Sequence, residues 1–228
     1  MRMRAFLVLL AIACPGCQSV RDNVRGRLAG TPPPPRPKTA NFFKPPMPDR
    51  SQPMRRVAML PLSAAQLTPE MLRDITVAFQ AELSKKALFE VVPVSGAELE
   101  AICGQRQLSS VEPLPADLLE ALRERLGAEG VLFTDITHLN PYRPVAIGVR
   151  AKLVDVSSGA ISWASDCVYD SGHPAIAENA RQFQRQFSDP HRAIQDDGGS
   201  VLISPARFAK YVANATFNHL DTSPNPMP

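Results

Sequence analysis

Residues 145–169, VAIGVRAKLVDVSSGAISWASDCVY, decide the fold. Val145, Ile147, Val149, Ala151 and Leu153 alternate with Gly148, Arg150 and Lys152, the period of a strand with one buried face. Ser157-Ser158-Gly159 supplies turn residues, and Ile161, Trp163, Ser165, Cys167 and Tyr169 then share one face of a returning strand. The stretch predicts a long antiparallel hairpin whose apolar side needs a cover.

The upstream sequence supplies more sheet and the first helices. Val57-Ala-Met-Leu-Pro-Leu62 reads as a short buried strand. Thr68-Pro69 is an N-cap followed by a first-turn proline, and Leu72, Ile75, Phe79 and Leu83 line one helical face that reaches to about Lys86. Phe89–Val94 is a second strand. Ser95-Gly-Ala-Glu98 is a capping box opening a helix with Leu99, Ile102 and Cys103 on one side. A third helix begins at Pro115, carries Leu118, Leu119, Leu122 and Leu126, and stops at Gly127. Val131–Ile136 is a third strand. The order β-α-β-α-α-β-β-β gives an α/β (α+β) domain over residues 55–172, a mixed β-sheet with helices mainly on one face.

Residues 173–222 read as a C-terminal helical extension, two helices around a loop, before a short disordered tail at 223–228. Pro174 opens the first helix, with Ile176, Ala180, Phe183 and Phe187 at helical spacing, and Asp196-Asp197-Gly198-Gly199 breaks it. Ser204-Pro205 opens the second, followed by Phe208, Val212, Ala215 and Leu220. Both helices are too polar to cross a membrane. Packing on the sheet to complete the core is one reading of this extension. A surface for a partner or for self-association is the other.

The runs RRVAMLPL, LFEVVPVSGAEL, LGAEGVLFTDI and VRAKLVDVSSGAISWAS, covering about residues 55–170, resemble a group of bacterial envelope lipoproteins. The group shares the anticodon-binding-like fold of the curli-secretion lipoprotein CsgG, the penicillin-binding-protein activator LpoB and the N-terminal domain of TolB. Its most specific pieces here are Gly130-Val131-Leu132 after a helix and the hairpin segment Leu153–Trp163. These motifs are structural, so Trp163 is read as core or hairpin packing in preference to a ligand platform. The strand connections are too short for the pore hairpins of CsgG. The proline-rich stretch ahead of the domain is similar to that of LpoB-like activators, whereas the extension after it is an addition.

The N-terminus sets the compartment. MRMRAFLVLLAIACPGC has a basic start at Arg2 and Arg4, an apolar run from Ala5 to Ala13, and small residues ending in cysteine. That is the plan of a secretory signal peptide over residues 1–16, and its cysteine resembles the lipobox of bacterial lipoproteins. Cys17 is the expected lipidation site, with Cys14 as the alternative. The resemblance implies a lipid anchor in the membrane of the bacterial envelope, facing the periplasm. The outer membrane is favoured because Gln18, and not aspartate, follows Cys17.

Residues 17–54 read as a proline-rich, basic, disordered tether, with Pro32 to Pro35, Pro37, Pro45, Pro46, Pro48 and Pro53 and almost no apolar periodicity. Between residues 18 and 56 nine Lys/Arg face two Asp, while 57–228 holds 14 basic and 20 acidic residues, a net of −6. The overall +3 thus hides a basic tether on an acidic domain. Basic residues near an anchor are drawn to anionic headgroups by about 1 kcal/mol each. A flexible tether of this length spans roughly 35 Å as a coil and roughly 115 Å as polyproline II. No nucleic-acid partner is expected, since the basic residues lie in a tail without base-stacking aromatics on a platform.

No catalytic or cofactor-binding constellation emerges. His138, His173, His191 and His219 are scattered, with no HExxH and no paired cysteines for zinc. G-x-S-x-G, S-x-x-K, the P-loop and G-x-G-x-x-G are missing from the sequence. Asp189, Asp196 and Asp197 lack calcium-loop spacing, and Glu98 and Glu100 stand at a helix start for capping. Cys103 and Cys167 both lie on apolar faces in an exported chain, which leaves two readings: a disulfide or two buried thiols. The expectation is a non-catalytic, protein-binding accessory or regulatory module of an envelope machine, with a peptidoglycan synthase as the partner the resemblance implies. The alternative is a homo-oligomeric ring component of an outer-membrane secretion or transport assembly.

Overall fold

Seven strands form one mixed sheet in the computed structural model, which describes residues 41–43, 53–65, 67–187 and 199–220. The strands are β1 (Asn41–Phe43), β2 (Arg56–Met59), β3 (Ser63–Ala64), β4 (Glu90–Pro93), β5 (Gly130–Asn140), β6 (Ala146–Asp155) and β7 (Ile161–Asp170). Their order across the sheet is β1-β7-β6-β5-β2-β4, with β3 joined to the far end of β5. β2 runs parallel to β4 and β5, and β5, β6, β7 and β1 are successively antiparallel. The hairpin predicted from residues 145–169 is thus β6–β7, at the centre of the antiparallel half. Asp155 shapes its turn, its Oδ1 accepting from the amides of Ser157 and Ser158 and the hydroxyl of Ser157.

Five helices cover both faces: α1 (Pro69–Lys85), α2 (Gly96–Cys103), α3 (Leu118–Leu126), α4 (Pro174–Phe187) and α5 (Pro205–Phe217). The three longer ones, α1, α4 and α5, lie on one face, where Ile75, Phe79, Ile176, Phe183, Phe208 and Phe217 join the inward side chains of β2, β5, β6 and β7 in one core. The two shorter ones place Leu99, Leu118 and Leu122 on the other face, against Ala58, Val131, Phe133 and Val154. Helices therefore sit mainly, though not only, on one side.

Local chemistry fixes the helix ends as expected. Thr68 Oγ1 accepts the Met71 amide at 3.3 Å, and Ser204 Oγ that of Arg207 at 3.4 Å. Ser95 and Glu98 form the reciprocal capping box. α3 ends at Gly127, whose φ of +62° is the left-handed conformation that suits glycine. It starts at Leu118 and not at Pro115, with the Leu118 amide donating to Pro115 O. The strand expected over 57–62 stops at Met59, because Pro61 has no amide to give the ladder; the chain rejoins the sheet as β3.

One expectation needs correction. Residues 17–54 do not all stand apart from the domain. Asn41–Phe43 pairs with β7, and Met54 is buried at 3% exposure. The physical reason for β1 is that Asn41–Phe43 lies in a stretch of sequence without proline, so its amides are available for a ladder on β7. Of the two cysteines, Cys103 packs partly buried against the core on one face of the sheet and Cys167 in the core on the other, so the sheet stands between them.

The C-terminal helices complete the core rather than standing off it. Among the described residues no helix is long and apolar enough to cross a membrane. Cys14, Cys17, Asp189, His191, Asp196, Asp197, the Phe187 side chain and the 223–228 tail lie outside the described residues.

Candidate functional site

Among the described residues, the helices do not cover all of the sheet. On the α2–α3 side the apolar cluster reaches β6 only at its turn end, through Val154 and Val156. The rest of β6 and β7 on that side presents Arg150, Lys152, Asp166 and Val168, none of them buried. This face is polar and internally paired. Asp135, Arg150 and Asp166 lie in register across three strands, and Arg150 Nε donates to Asp166 Oδ2 at 2.7 Å. Opposite charges directly across a ladder stabilise the pairing.

Asp135 is the most deeply placed acid of this row, at 6% exposure. Its carboxylate accepts the Ser110 amide at 3.0 and 3.1 Å and the Ser110 hydroxyl at 2.5 Å. Lys152 Nζ donates to the Ser110 carbonyl at 2.6 Å. The loop between α2 and α3 is thereby tied to β5 and β6 by one residue. The nearly buried oxygens of Asp135 are thus satisfied by donors from one residue.

The other ionisable groups serve similar ends. The Arg56 guanidinium pairs in bidentate fashion with Glu90 and donates to Leu126 O at 3.1 Å, joining β2, β4 and the end of α3. The Arg55 amide likewise donates to Glu129, at 3.0 Å. Glu98 is held below the usual carboxylate range by its hydrogen bonds from Ser95, and Glu100 pairs with Arg106 at 2.7 Å. Glu82, 1% exposed, meets Lys85 at 2.5 Å and accepts from Asn214 at 3.3 Å across the α1–α5 contact.

The remaining chemistry is buried. Trp163 is 2% exposed, in the core rather than on a platform, and its Nε1 has no hydrogen-bond partner among the described residues. Tyr211 packs edge-on against Tyr169 and Phe183, with ring centroids 6.1 Å apart in each pair. Burial pushes the Tyr211 phenol up to about 12 and raises that of Tyr169 as well. Cys167 lies among these rings. Of the histidines described, His138 follows the β5 bulge, His173 caps the turn after β7 and His219 follows α5, three separate places. Among the described residues no group of three or more His, Cys, Asp or Glu is placed to hold a metal ion.

The feature that sequence reasoning missed is the outer edge of β7. Asn41 stands opposite Asp166, Phe42 opposite Ser165 and Phe43 opposite Ala164. The proline-free window around them was the available signal. Ser110 was missed as well, because nothing local marks it as the partner of a residue 25 positions on.

No protein-family model matches the chain, and no curated protein matches it in sequence. Several solved structures are similar to parts of the chain. The PelC dodecamer from Paraburkholderia phytofirmans is similar at 17% identity over 78% of this chain and 96% of that one, with a TM-score of 0.42. Lipoprotein GNA1162 from Neisseria meningitidis is similar at 16% identity over 58% and 96%, with a TM-score of 0.38. The C-terminal domain of LpoB from Escherichia coli is similar at 16% identity over 53% and 86%, with a TM-score of 0.35. None of the three matches exceeds 17% identity, a level at which function does not transfer.

Proposed function

We propose that this chain is a lipid-anchored protein of the bacterial envelope, facing the periplasm, whose domain works by binding other envelope proteins and not by catalysis. The observation that carries the reading is the order of its parts. A basic and apolar leader ends in Gly16-Cys17, a proline-rich basic stretch follows, and then comes a domain with an uncovered, internally paired sheet face. The anchor is the lipidated Cys17, with Cys14 as the alternative, and the outer membrane is the favoured site. A cell-wall synthase is the partner class that the sequence resemblance implies, and regulation of such a machine is the role.

Fractionation of the native host tests the anchor. Cys17→Ala should release the protein from membranes or leave an uncleaved precursor, and Cys14→Ala should change neither. The opposite pattern moves the anchor to Cys14, and no change in either variant ends the lipoprotein reading. Crosslinking in the host then tests the role. Recovery of an envelope enzyme or its complex supports an accessory function, whereas a native mass of many identical copies supports a ring assembly instead.

A further inference from the structure

One row on the inner face of the antiparallel strands differs from its neighbours. Thr134 of β5, Ala151 of β6 and Ser165 of β7 stand in register across three strands. Ile136, Val149 and Cys167 form the row on one side, and Leu132, Leu153 and Trp163 the row on the other. All six of those side chains belong to the apolar core under the longer helices. The row between them is short and carries two hydroxyls, with Ala151 at its middle.

Neither hydroxyl is satisfied by the protein. Thr134 is 0% exposed and Ser165 2%, and among the described residues Thr134 Oγ1 and Ser165 Oγ have no hydrogen-bond partner. Trp163 Nε1 is a third such atom, two residues from Ser165 on the same face of β7. Strand geometry sets the scale. Residues two apart along a strand are separated by about 6.6 Å, and strands two apart in a sheet by about 9.6 Å. The two hydroxyls, on either side of Ala151, are therefore too far apart to bond each other, yet both are within reach of a small molecule between them. In a dry core each of the three atoms would keep its full desolvation cost. Valine, alanine and phenylalanine would fill the same positions without it. Buried polar groups left over by the protein are ordinarily met by internal water, which makes about three hydrogen bonds.

We infer that the sheet surface over Ala151 is an internal hydration site, where ordered water bonds to Trp163 Nε1, Ser165 Oγ and Thr134 Oγ1. The indole is a donor only, so the water oxygen accepts from it and the water protons go to the hydroxyl oxygens. The site ties β5 to β7 across β6 through side chains, beside the ladder hydrogen bonds of the backbone. It also gives the N–H of a deeply buried tryptophan its acceptor.

Trp163 is the single tryptophan of the chain, so isotope-labelled tryptophan gives one indole N–H signal to follow by nuclear magnetic resonance. In the full chain in detergent, that proton should exchange slowly with solvent and yet show a cross-peak at the water frequency. A neighbouring hydroxyl that exchanges with solvent would give the same cross-peak, so a second readout separates the two cases. The double variant Thr134→Val/Ser165→Ala removes both hydroxyls with little change of shape. With water held at the site, the variant strips away its partners, and the urea midpoint should fall by about 0.5–1 M. At a dry site the same variant removes two orphaned hydroxyls, and the midpoint should rise. No water cross-peak in the unaltered chain, or a midpoint that rises or stays level in the variant, overturns the proposal.

Discussion

At the scale of single residues, several polar groups of this domain tie its elements together. Asp135 is the clearest case, a nearly buried side chain whose oxygens accept an amide and a hydroxyl from Ser110. Asp135→Ala should destabilise the domain by about 1–3 kcal/mol, because the Ser110 donors lose their acceptor in a dry site. Asp135→Asn should cost less, since an amide oxygen still accepts one of them. Urea unfolding reads both, and an alanine variant as stable as the parent would remove Asp135 from the ties that hold the α2–α3 loop. The tyrosines give a pH prediction. Burial raises Tyr211 from its ordinary value of 10.0 to about 12 and raises Tyr169 too, so the folded state keeps protons that the unfolded chain releases. Their stabilisation is whole below pH 10 and is lost as pH rises through the window up to the folded value. For Tyr211 the loss reaches about 3 kcal/mol by the top of that window, at 1.36 kcal/mol per unit. Tyr211→Phe should therefore flatten the alkaline fall in urea midpoint, whatever it does to stability at neutral pH. An unchanged slope would show that another group sets the alkaline limit.

Among the elements, the long antiparallel strands carry the sharpest constraint. β5 and β6 change register between Ile136 and His138, and Gly148 lies opposite this bulge. A Cβ on Gly148 would come within 2.6 Å of Thr137 Oγ1, 3.0 Å of His138 Cβ and 3.1 Å of the His138 amide nitrogen. Side chains can turn away, but a backbone nitrogen in a bulge cannot. Gly148→Ala should therefore cost about 1–3 kcal/mol as an overpacked site, measured by thermal or urea unfolding. A neutral effect would mean that the bulge itself relaxes. How much of the fold was legible in the sequence depends on the range of the interactions. The β6–β7 alternation, the Thr68, Ser95 and Ser204 caps and the Gly127 stop depend on neighbours a few residues away, and all were legible. β1 and β3, at three and two residues, are too short to show any period. The apolar stripe of α2 was legible too, but a stripe says which side of a helix is buried and not which face of the sheet it meets. Cys103 and Cys167, each on an apolar stripe, pack on opposite faces. The Ser110–Asp135 tie, 25 residues apart in sequence, left no local trace at all.

For the whole molecule, the C-terminal helices decide where the domain ends. If a compact α/β unit closed at residue 172, the helices beyond it would form an arm for partners, and removing that arm would spare the fold. The packing argues otherwise. Phe208, Val212 and Phe217 of α5 are fully buried, Tyr211 is 4% exposed, and the Phe217 ring meets Phe79 of α1 edge-on at 5.7 Å between centroids. Tyr169 of β7 accepts from Thr216 at 3.4 Å, and Asn214 reaches the buried Glu82 of α1. α5 is thus the central plank between α1 and the hairpin. Each large apolar side chain it buries contributes about 1.5–3 kcal/mol, so four of them rival the roughly 5–15 kcal/mol net stability of a whole domain. Deleting residues 199–228 should leave a chain without a cooperative urea transition, with its near-ultraviolet aromatic signal lost and its aggregation raised. A partner-binding arm would instead give a truncated protein that unfolds cooperatively near the parent midpoint and loses only its complex. The two outcomes are far apart, and the buried aromatics predict the first.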